Sequence, residues 1–461
     1  MHNQSLVYEW LNKKYEWNLE ISNPQIASFP NKFVFICPPN KVKETMKSIE
    51  GNIQKEWLRL QELCDIKKEN LSDDYFNYSW ASTKLNREAE NFYVDAHALA
   101  QKLLAACKLK PSKIRKSQNG EKCPLCGEYS AKEFDKEEKL CVICATKRRL
   151  PEKMMNAKAE ILHSTFKDIG FPDTYFLAGA KSKEDSTQNK YYAILLMDGD
   201  KMGDLINGET IDAKYCDVVH PKIKEKFGNK TQYSFFKDKR KITPDVHSSI
   251  SDYLNKFTRE RVAKIVETLG GKGKLVYAGG DDVLAILPLE NALEITEQIS
   301  KAYNDILGYA PGISISAALL LVHHKEPLRE VIREAHEVLE EIAKIKSKRN
   351  SVAIRLKKRS GGDRDFYCRW NSEEYKSFKN AVEYFKGKEV SSSLAYNLSK
   401  LKPALNVDGI TQEQKEKLFE YECKHSGITD KNIAKDLCNI CLACDLNFEA
   451  PIIAKFLGGV K

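Results

Sequence analysis

From residue 191 onward the chain switches between short unbroken apolar runs and three-and-four apolar spacing. YYAILLM (191–197) is an apolar run bounded by turn residues, the pattern of a buried strand. Residues 246–269 keep a helical period. KLVYA (274–278) and VLAIL (283–287) are two strand-like runs separated only by GGDD, which predicts a tight hairpin. ENALEITEQISKAYNDIL (290–307) reads as a helix and GISISAALLLV (312–322) as a strand. Pro327 then opens a helix whose Leu328, Val331, Ile332, Ala335, Val338, Leu339 and Ile342 share one face, and SVAIRL (351–356) closes the unit. This order of strands and helices predicts an α+β unit, a mixed sheet with helices packed on it.

The flanks are less regular. KFVFIC (32–37) is strand-like and framed by Pro30, Pro38 and Pro39; helical stretches follow over roughly 40–68 and 84–109. A cysteine module occupies 116–150. Residues 151–190 read as a helical linker that ends in an exposed polar loop, KSKEDSTQNK (181–190). After RSGGDR (359–364) the remainder reads as wholly helical. The expected division is 1–115, 116–150, 151–190, 191–360 and 361–461.

Composition narrows the class. At 461 residues the chain exceeds one ordinary domain, and 42% hydrophobic residues are enough for real cores. The longest apolar stretch, ISISAALLLV (313–322), falls far short of a membrane span, and the N-terminus has no apolar signal region. A soluble, cytoplasmic protein with no membrane partner is expected. Net charge is +9, concentrated in KIRK (113–116), KRR (147–149), KDKRK (237–241), KSKR (346–349) and LKKRSGGDR (356–364). Any one run is ordinarily solvated surface, but five together suit a polyanion such as RNA or nucleotide phosphate.

The turn GGDD carries the chemistry. Two glycines, Gly279 and Gly280, allow positive φ and the close approach of a phosphate. The adjacent Asp281 and Asp282 project carboxylates from a rigid hairpin, which suits hard cations that take oxygen ligands. Alone, the motif is equally a hairpin turn with solvated acids. The strand at 191–197, however, ends in DGDKMG: Asp198, Gly199, Asp200, Lys201, Met202 and Gly203. Backbone amides there could cradle a triphosphate at a helix start. A strand-end acid beside a hairpin acid pair is the arrangement for two Mg2+ or Mn2+ ions, one activating an attacking 3′-hydroxyl and one neutralising pyrophosphate.

Thirteen cysteines without a secretion signal argue for metal ligands over disulfides. Cys123, Cys126, Cys141 and Cys144 form C-x2-C-x14-C-x2-C, two knuckles whose four thiolates satisfy a structural, tetrahedral zinc. Cys423, Cys438, Cys441 and Cys444 could suggest an iron–sulfur cluster, but their helical spacing favours small core residues. The pair His323-His324 follows a strand and either approaches a substrate base or bound RNA or has no further role.

The pairing of DGDKMG with YAGGDDVLAIL resembles the large subunit of type III CRISPR effector complexes, particularly the Cmr subtype. The likeness continues through ISISAALLLVHHKEPL (313–328), AHEVLEEIAKIKSKRNSVAI (335–354) and KKRSGG (357–362), and includes the cysteine module and SFPNKFVFICPP (28–39). The resemblance implies a ferredoxin-like, nucleotidyl-cyclase palm with Asp198, Asp281 and Asp282 as metal ligands and Gly199 to Gly203 along the phosphates. It also implies a partial first palm, the zinc module and a helical C-terminal domain. A further likeness of AKIKSKRN to diguanylate cyclases points to Lys344 as a phosphate contact. ATP as substrate, cyclic oligoadenylate as product, and guide RNA, target RNA and other complex subunits as partners are all implied by the family. No histidine of the nine is followed by aspartate, so the HD nuclease of many members is not expected. The usual opening strand and helix of the first palm are not recognised, so the expectation is either a separate partner chain that completes it or a sequence that is part of a longer protein. The competing readings are a scaffold subunit that anchors guide RNA and proteins without chemistry, and a diguanylate cyclase, which carries Glu-Phe where this turn has Asp282 and the next residue.

Overall fold

The computed structural model describes residues 32–109, 120–156, 173–179, 190–227 and 231–459, except 74, 87, 89, 90, 270, 272, 309–311, 360, 406 and 408, and the side chains at 154–156, 227, 231–233, 444 and 445. SFPN (28–31), the basic run 113–116 and the polar loop 181–189 therefore lie outside the described residues. The chain forms two compact units, dividing near residue 170.

In the first unit, helices α1 (Val42–Leu63) and α2 (Phe92–Lys108) precede a two-stranded ribbon, β1 (Glu133–Asp135) and β2 (Glu138–Leu140), and helix α3 (Val142–Asn156). Trp57, Cys64 and Ile66 bury against Leu140, Val142, Ile143 and Ala145, so the cysteine module shares a small core with the end of α1. The run KRR serves this module internally. Arg149 pairs with Asp135 and donates to the carbonyl of Cys64 (3.1 Å), and Arg148 pairs with Glu138. The strand expected at 32–37 does not form: Phe33, Val34, Phe35 and Ile36 are exposed, and no described strand lies beside them to take up their backbone groups.

The second unit is built on a six-stranded sheet of order β4-β5-β3-β6-β7-β8: β3 (Tyr191–Asp200), β4 (Lys274–Gly279), β5 (Asp282–Pro288), β6 (Ser314–His323), β7 (Ser351–Leu356) and β8 (Arg364–Arg369). Only β6 and β7 run parallel; the other neighbours are antiparallel. Short helix α4 (Met202–Asn207) follows β3. Helix α5 (Pro244–Lys256) is prolonged through a wide turn at Phe257–Val262 to Leu269. Helix α6 (Leu289–Leu307) covers one face of the sheet. The other face is covered by α7 (Leu328–Glu337), which continues to Lys346 with i→i+5 geometry. Successive β3 residues alternate between these layers, Ala193, Leu195 and Met197 to one and Tyr192, Ile194 and Leu196 to the other. Burial on both faces explains why this strand is an unbroken apolar run.

The C-terminal region is not wholly helical. Residues 364–369 form β8, paired to β7 with Arg355 opposite Asp365 and two 2.7 Å hydrogen bonds between their side chains. Helices α8 (Glu373–Lys386), α9 (Gln412–His425), α10 (Lys431–Leu446) and α11 (Ala450–Gly458) then pack on the sheet and share its core. Cys423, Cys438 and Cys441 are buried in that core. No metal-holding group among the described residues includes them. No described helix is long and apolar enough to cross a membrane.

Candidate metal and nucleotide site

Two elements bring the acids together. β3 carries Asp198 near its C-terminal end, and β5 pairs with it up to Met197 opposite Val283, so the β4–β5 turn lies beside that end. Gly279 and Asp282 form the last β4–β5 pair, leaving Gly280 and Asp281 as a two-residue turn. Gly280 has φ +69° and Asp281 is not left-handed, the pattern of a II′ turn, which wants glycine first. One carboxylate oxygen from each of Asp198, Asp281 and Asp282 lies within 4.8 Å of the other two. Gly199 makes this possible, because a Cβ built there would stand 2.7 Å from Asp281 Oδ2.

Crowded acids repel. Burial, then the charge of Asp198, pushes Asp281 up to about 6. Asp282 stands at the exposed edge, but its carboxyl turns inward. Withdrawal from water, a hydrogen bond with Asp198 and the neighbouring charges push it up to about 8. The nearest compensating charge is Lys344, only 8% exposed, whose Nζ donates to Asp198 and, at 2.7 Å, to Glu340 Oε1. Burial alone would lower the lysine, but these two carboxylates raise it. Three carboxylates facing one ammonium suit a divalent cation, which relieves their repulsion and takes oxygen ligands.

The remaining predicted residues are placed differently from one another. Lys201 is left-handed (φ +57°) at the start of α4, and a Cβ at Gly203 or Gly280 would meet nothing within 4 Å, so the backbone there is open. At Gly279 the atoms nearest an added Cβ belong to the Tyr277 side chain. Met202 Sδ accepts from Tyr303 Oη at 3.2 Å. Asp200 is 1% exposed and bonded on all sides by protein donors, beneath the surface a ligand would touch. Two residues of the site escaped the sequence. Glu340 had a signal, since it stands four residues before Lys344. Tyr303 had none, since it reads as an ordinary core position of α6.

His323 and His324 are not part of this site. Tyr191 pairs with His323 at the start of β3, about 23 Å along the strand from Asp198. His323 packs edge-on to Tyr191 with centroids 5.3 Å apart. Burial, then its neighbour His324, holds its imidazole down at about 4.

In the first unit the four cysteine sulfurs also lie within 4.8 Å of one another. Cys126 and Cys141 are 3.8 Å apart, about the separation of two thiolates bound at 2.3 Å to a tetrahedral zinc. Burial would push Cys123 up, but backbone donors at Cys141, Cys126 and Leu125 outweigh it and bring the thiol to about 7. Burial pushes Cys141 and Cys144 up. The geometry fits zinc with no open position.

Residues 191–353 match the family model described as Cas10/Cmr2, second palm domain, so the palm resemblance carried by DGDKMG and GGDD is borne out. The chain is 35% identical over 220 residues to a Pyrococcus furiosus protein named CRISPR system Cmr subunit Cmr2, and the alignment takes in 47% of this chain. It is 31% identical over 121 residues, 22% of this chain, to the Saccharolobus solfataricus protein of that name. The chain spans 22% and 11% of the lengths of these two relatives. It is also similar to a chain of the type III-B Cmr-beta complex in its apo state, with TM-score 0.60, 14% identity, and 92% of this chain and 69% of that chain covered. The likeness to the same complex bound to cognate target RNA has TM-score 0.58 and 15% identity over 95% of this chain and 72% of that one. At these identities the structural likeness speaks for the fold.

Proposed function

We propose that the acid cluster is the catalytic site of a nucleotidyltransferase that joins ATP into cyclic oligoadenylates, and that the chain is the palm-bearing large subunit of a type III CRISPR effector complex. The observation that carries this reading is the meeting of Asp198, Asp281 and Asp282 within 4.8 Å at the end of one strand and the tip of its neighbouring hairpin. Mg2+ or Mn2+ bound there would activate a 3′-hydroxyl and offset charge on the leaving pyrophosphate. Lys344 neutralises Asp198 in the free protein and stands where it can meet a phosphate once a cation takes over that carboxylate. The backbone from Gly199 to Gly203 and at Gly279–Gly280 lies along the triphosphate, its approach unhindered at Gly203 and Gly280. The cysteine module holds zinc in a structural role. Guide RNA, target RNA and further subunits are the partners that the Cmr likeness supports.

The test incubates the purified chain with ATP and Mn2+, alone and within its assembled complex, and analyses products by mass spectrometry. Cyclic oligoadenylate is expected from the wild type and none from the folded Asp281→Ala, Asp282→Ala double variant. Undiminished product from that variant sinks the assignment. A wild type that binds Mn2+–ATP without forming product, even in the complex, identifies a scaffold instead.

A further inference from the structure

Asp198 and Asp200 stand two residues apart on β3 and so share one face of the strand. Asp198 reaches the acid cluster, whereas Asp200 turns into the protein. Its Oδ2 accepts from Ser314 Oγ (2.7 Å) and from the backbone N–H of Asn350 (2.9 Å). Ser316 Oγ lies 2.9 Å from both carboxylate oxygens, and Arg349 Nε stands 3.8 Å from Oδ1. These donors come from two places: β6, and the turn between α7's extension and β7.

That turn is unusual. Lys348, Arg349 and Asn350 have φ of +61°, +65° and +51°, three successive left-handed residues of which none is glycine. L-residues adopt this conformation singly and at a cost, so a run of three persists only where surrounding contacts impose it. The turn is tied forward to Asp200 through Asn350 N and backward to the helix. Arg349 N–H donates to the Ala343 carbonyl (3.2 Å), and Ser351 Oγ donates to the same oxygen (2.7 Å). The next residue is Lys344, whose ammonium lies on Asp198.

We propose that Asp200 is a positioning residue: by pinning the left-handed turn at 348–350 it sets the helix end that carries Lys344 and so keeps that ammonium on Asp198. The inference rests on the reading above for its consequence, that nucleotide binding depends on Asp200 although no nucleotide touches it. A carboxylate suits this place because both oxygens accept: Oδ2 faces the donor-only Asn350 N–H and Oδ1 faces the donor-only Arg349 guanidinium. An asparagine of the same shape would turn its NH2 group against one of these two.

The test uses the full chain as wild type, Asp200→Asn and Ser316→Ala, and follows acetylation of individual lysines by mass spectrometry. Lys357, paired with Glu334, is the internal control. Lys344 is expected to label about tenfold faster in Asp200→Asn, and less markedly so in Ser316→Ala, with Lys357 unchanged. Mn2+–ATP affinity falls by about tenfold, the usual scale for residues that orient a metal site. Added to Lys344→Met, Asp200→Asn causes no further loss, since both act through one ammonium. Unchanged Lys344 labelling, or equal acceleration at both lysines, overturns the proposal. If Asp200→Asn does not fold, the Lys344-to-Lys357 ratio in Ser316→Ala decides. A wild type that fails to bind Mn2+–ATP refutes the reading of the site, while the labelling ratio still decides the role of Asp200.

Discussion

Gly199 and Asp281 approach so closely that a Cβ on the glycine would lie 2.7 Å from the Cβ of the aspartate and 2.6 Å from Tyr303 Oη. The hairpin tip can reach β3 only because position 199 has no side chain. Gly199→Ala should therefore displace Asp281. Overpacking predicts a loss of about 1–3 kcal/mol in denaturant unfolding, and Mn2+ affinity by calorimetry should fall about 10–100-fold. Gly362→Ala, where an added Cβ meets nothing within 4 Å, should change neither quantity.

The acids make stability depend on pH in a defined direction. Asp281 and Asp282 titrate near 6 and 8 in the folded protein and near 3.8 when unfolded. Between those values the folded state holds more protons, so stability falls as pH rises through the window and levels off above it. Calorimetric melting in EDTA should decline from pH 5 to about 8. Saturating Mn2+, which binds the deprotonated carboxylates, should abolish or reverse the decline. Parallel curves with and without Mn2+ would count against a cation site here.

His323 imposes the opposite sign. Its folded imidazole titrates near 4 and its unfolded one near 6.5, because burial disfavours the charged form. The unfolded state binds the extra proton, so stability present above pH 6.5 is lost as pH falls toward 4. His323→Gln should flatten the melting curve over that acid range and leave the region above pH 7 unchanged in slope.

The cysteine module should need its metal to fold. Its core is small and includes the cysteines themselves, so zinc binding and folding are linked. Elemental analysis is expected to find one zinc per chain, lost in Cys141→Ser. A strong zinc chelator should then speed hydrogen exchange across 120–156 while leaving the palm sheet protected. Unaltered exchange in the zinc-free protein would contradict the assignment.

The strands of the palm were legible because each is a short apolar run bounded by turns, and β3 is one without interruption since helices cover both its faces. β8 was not. Arg364, Asp365, Phe366, Tyr367, Cys368 and Arg369 read as polar and mixed. Phe366 and Cys368 gain a core, and Asp365 a bidentate partner in Arg355, only once β7 lies alongside. KFVFIC fails the other way, with strand-forming residues and no described neighbour to pair with. The histidine pair was left open in the sequence, and the antiparallel pairing of β3 with β6 places it at the far end of the sheet from the acids.

What the sequence determined by itself is local: an acid at the end of a buried strand, two acids on a glycine hairpin, and four cysteines in paired knuckles. Each depends on residues close along the chain, where periodicity and turn chemistry act. Only the tertiary structure decided what Asp198 and Asp200 each do, since they are the same residue type in one hexapeptide. Strand pairing and the fold of the helix end bring Lys344, 146 positions from Asp198, onto one carboxylate and the backbone of Asn350 onto the other. Such contacts depend on register and packing across the sheet, and no pattern along the chain encodes them.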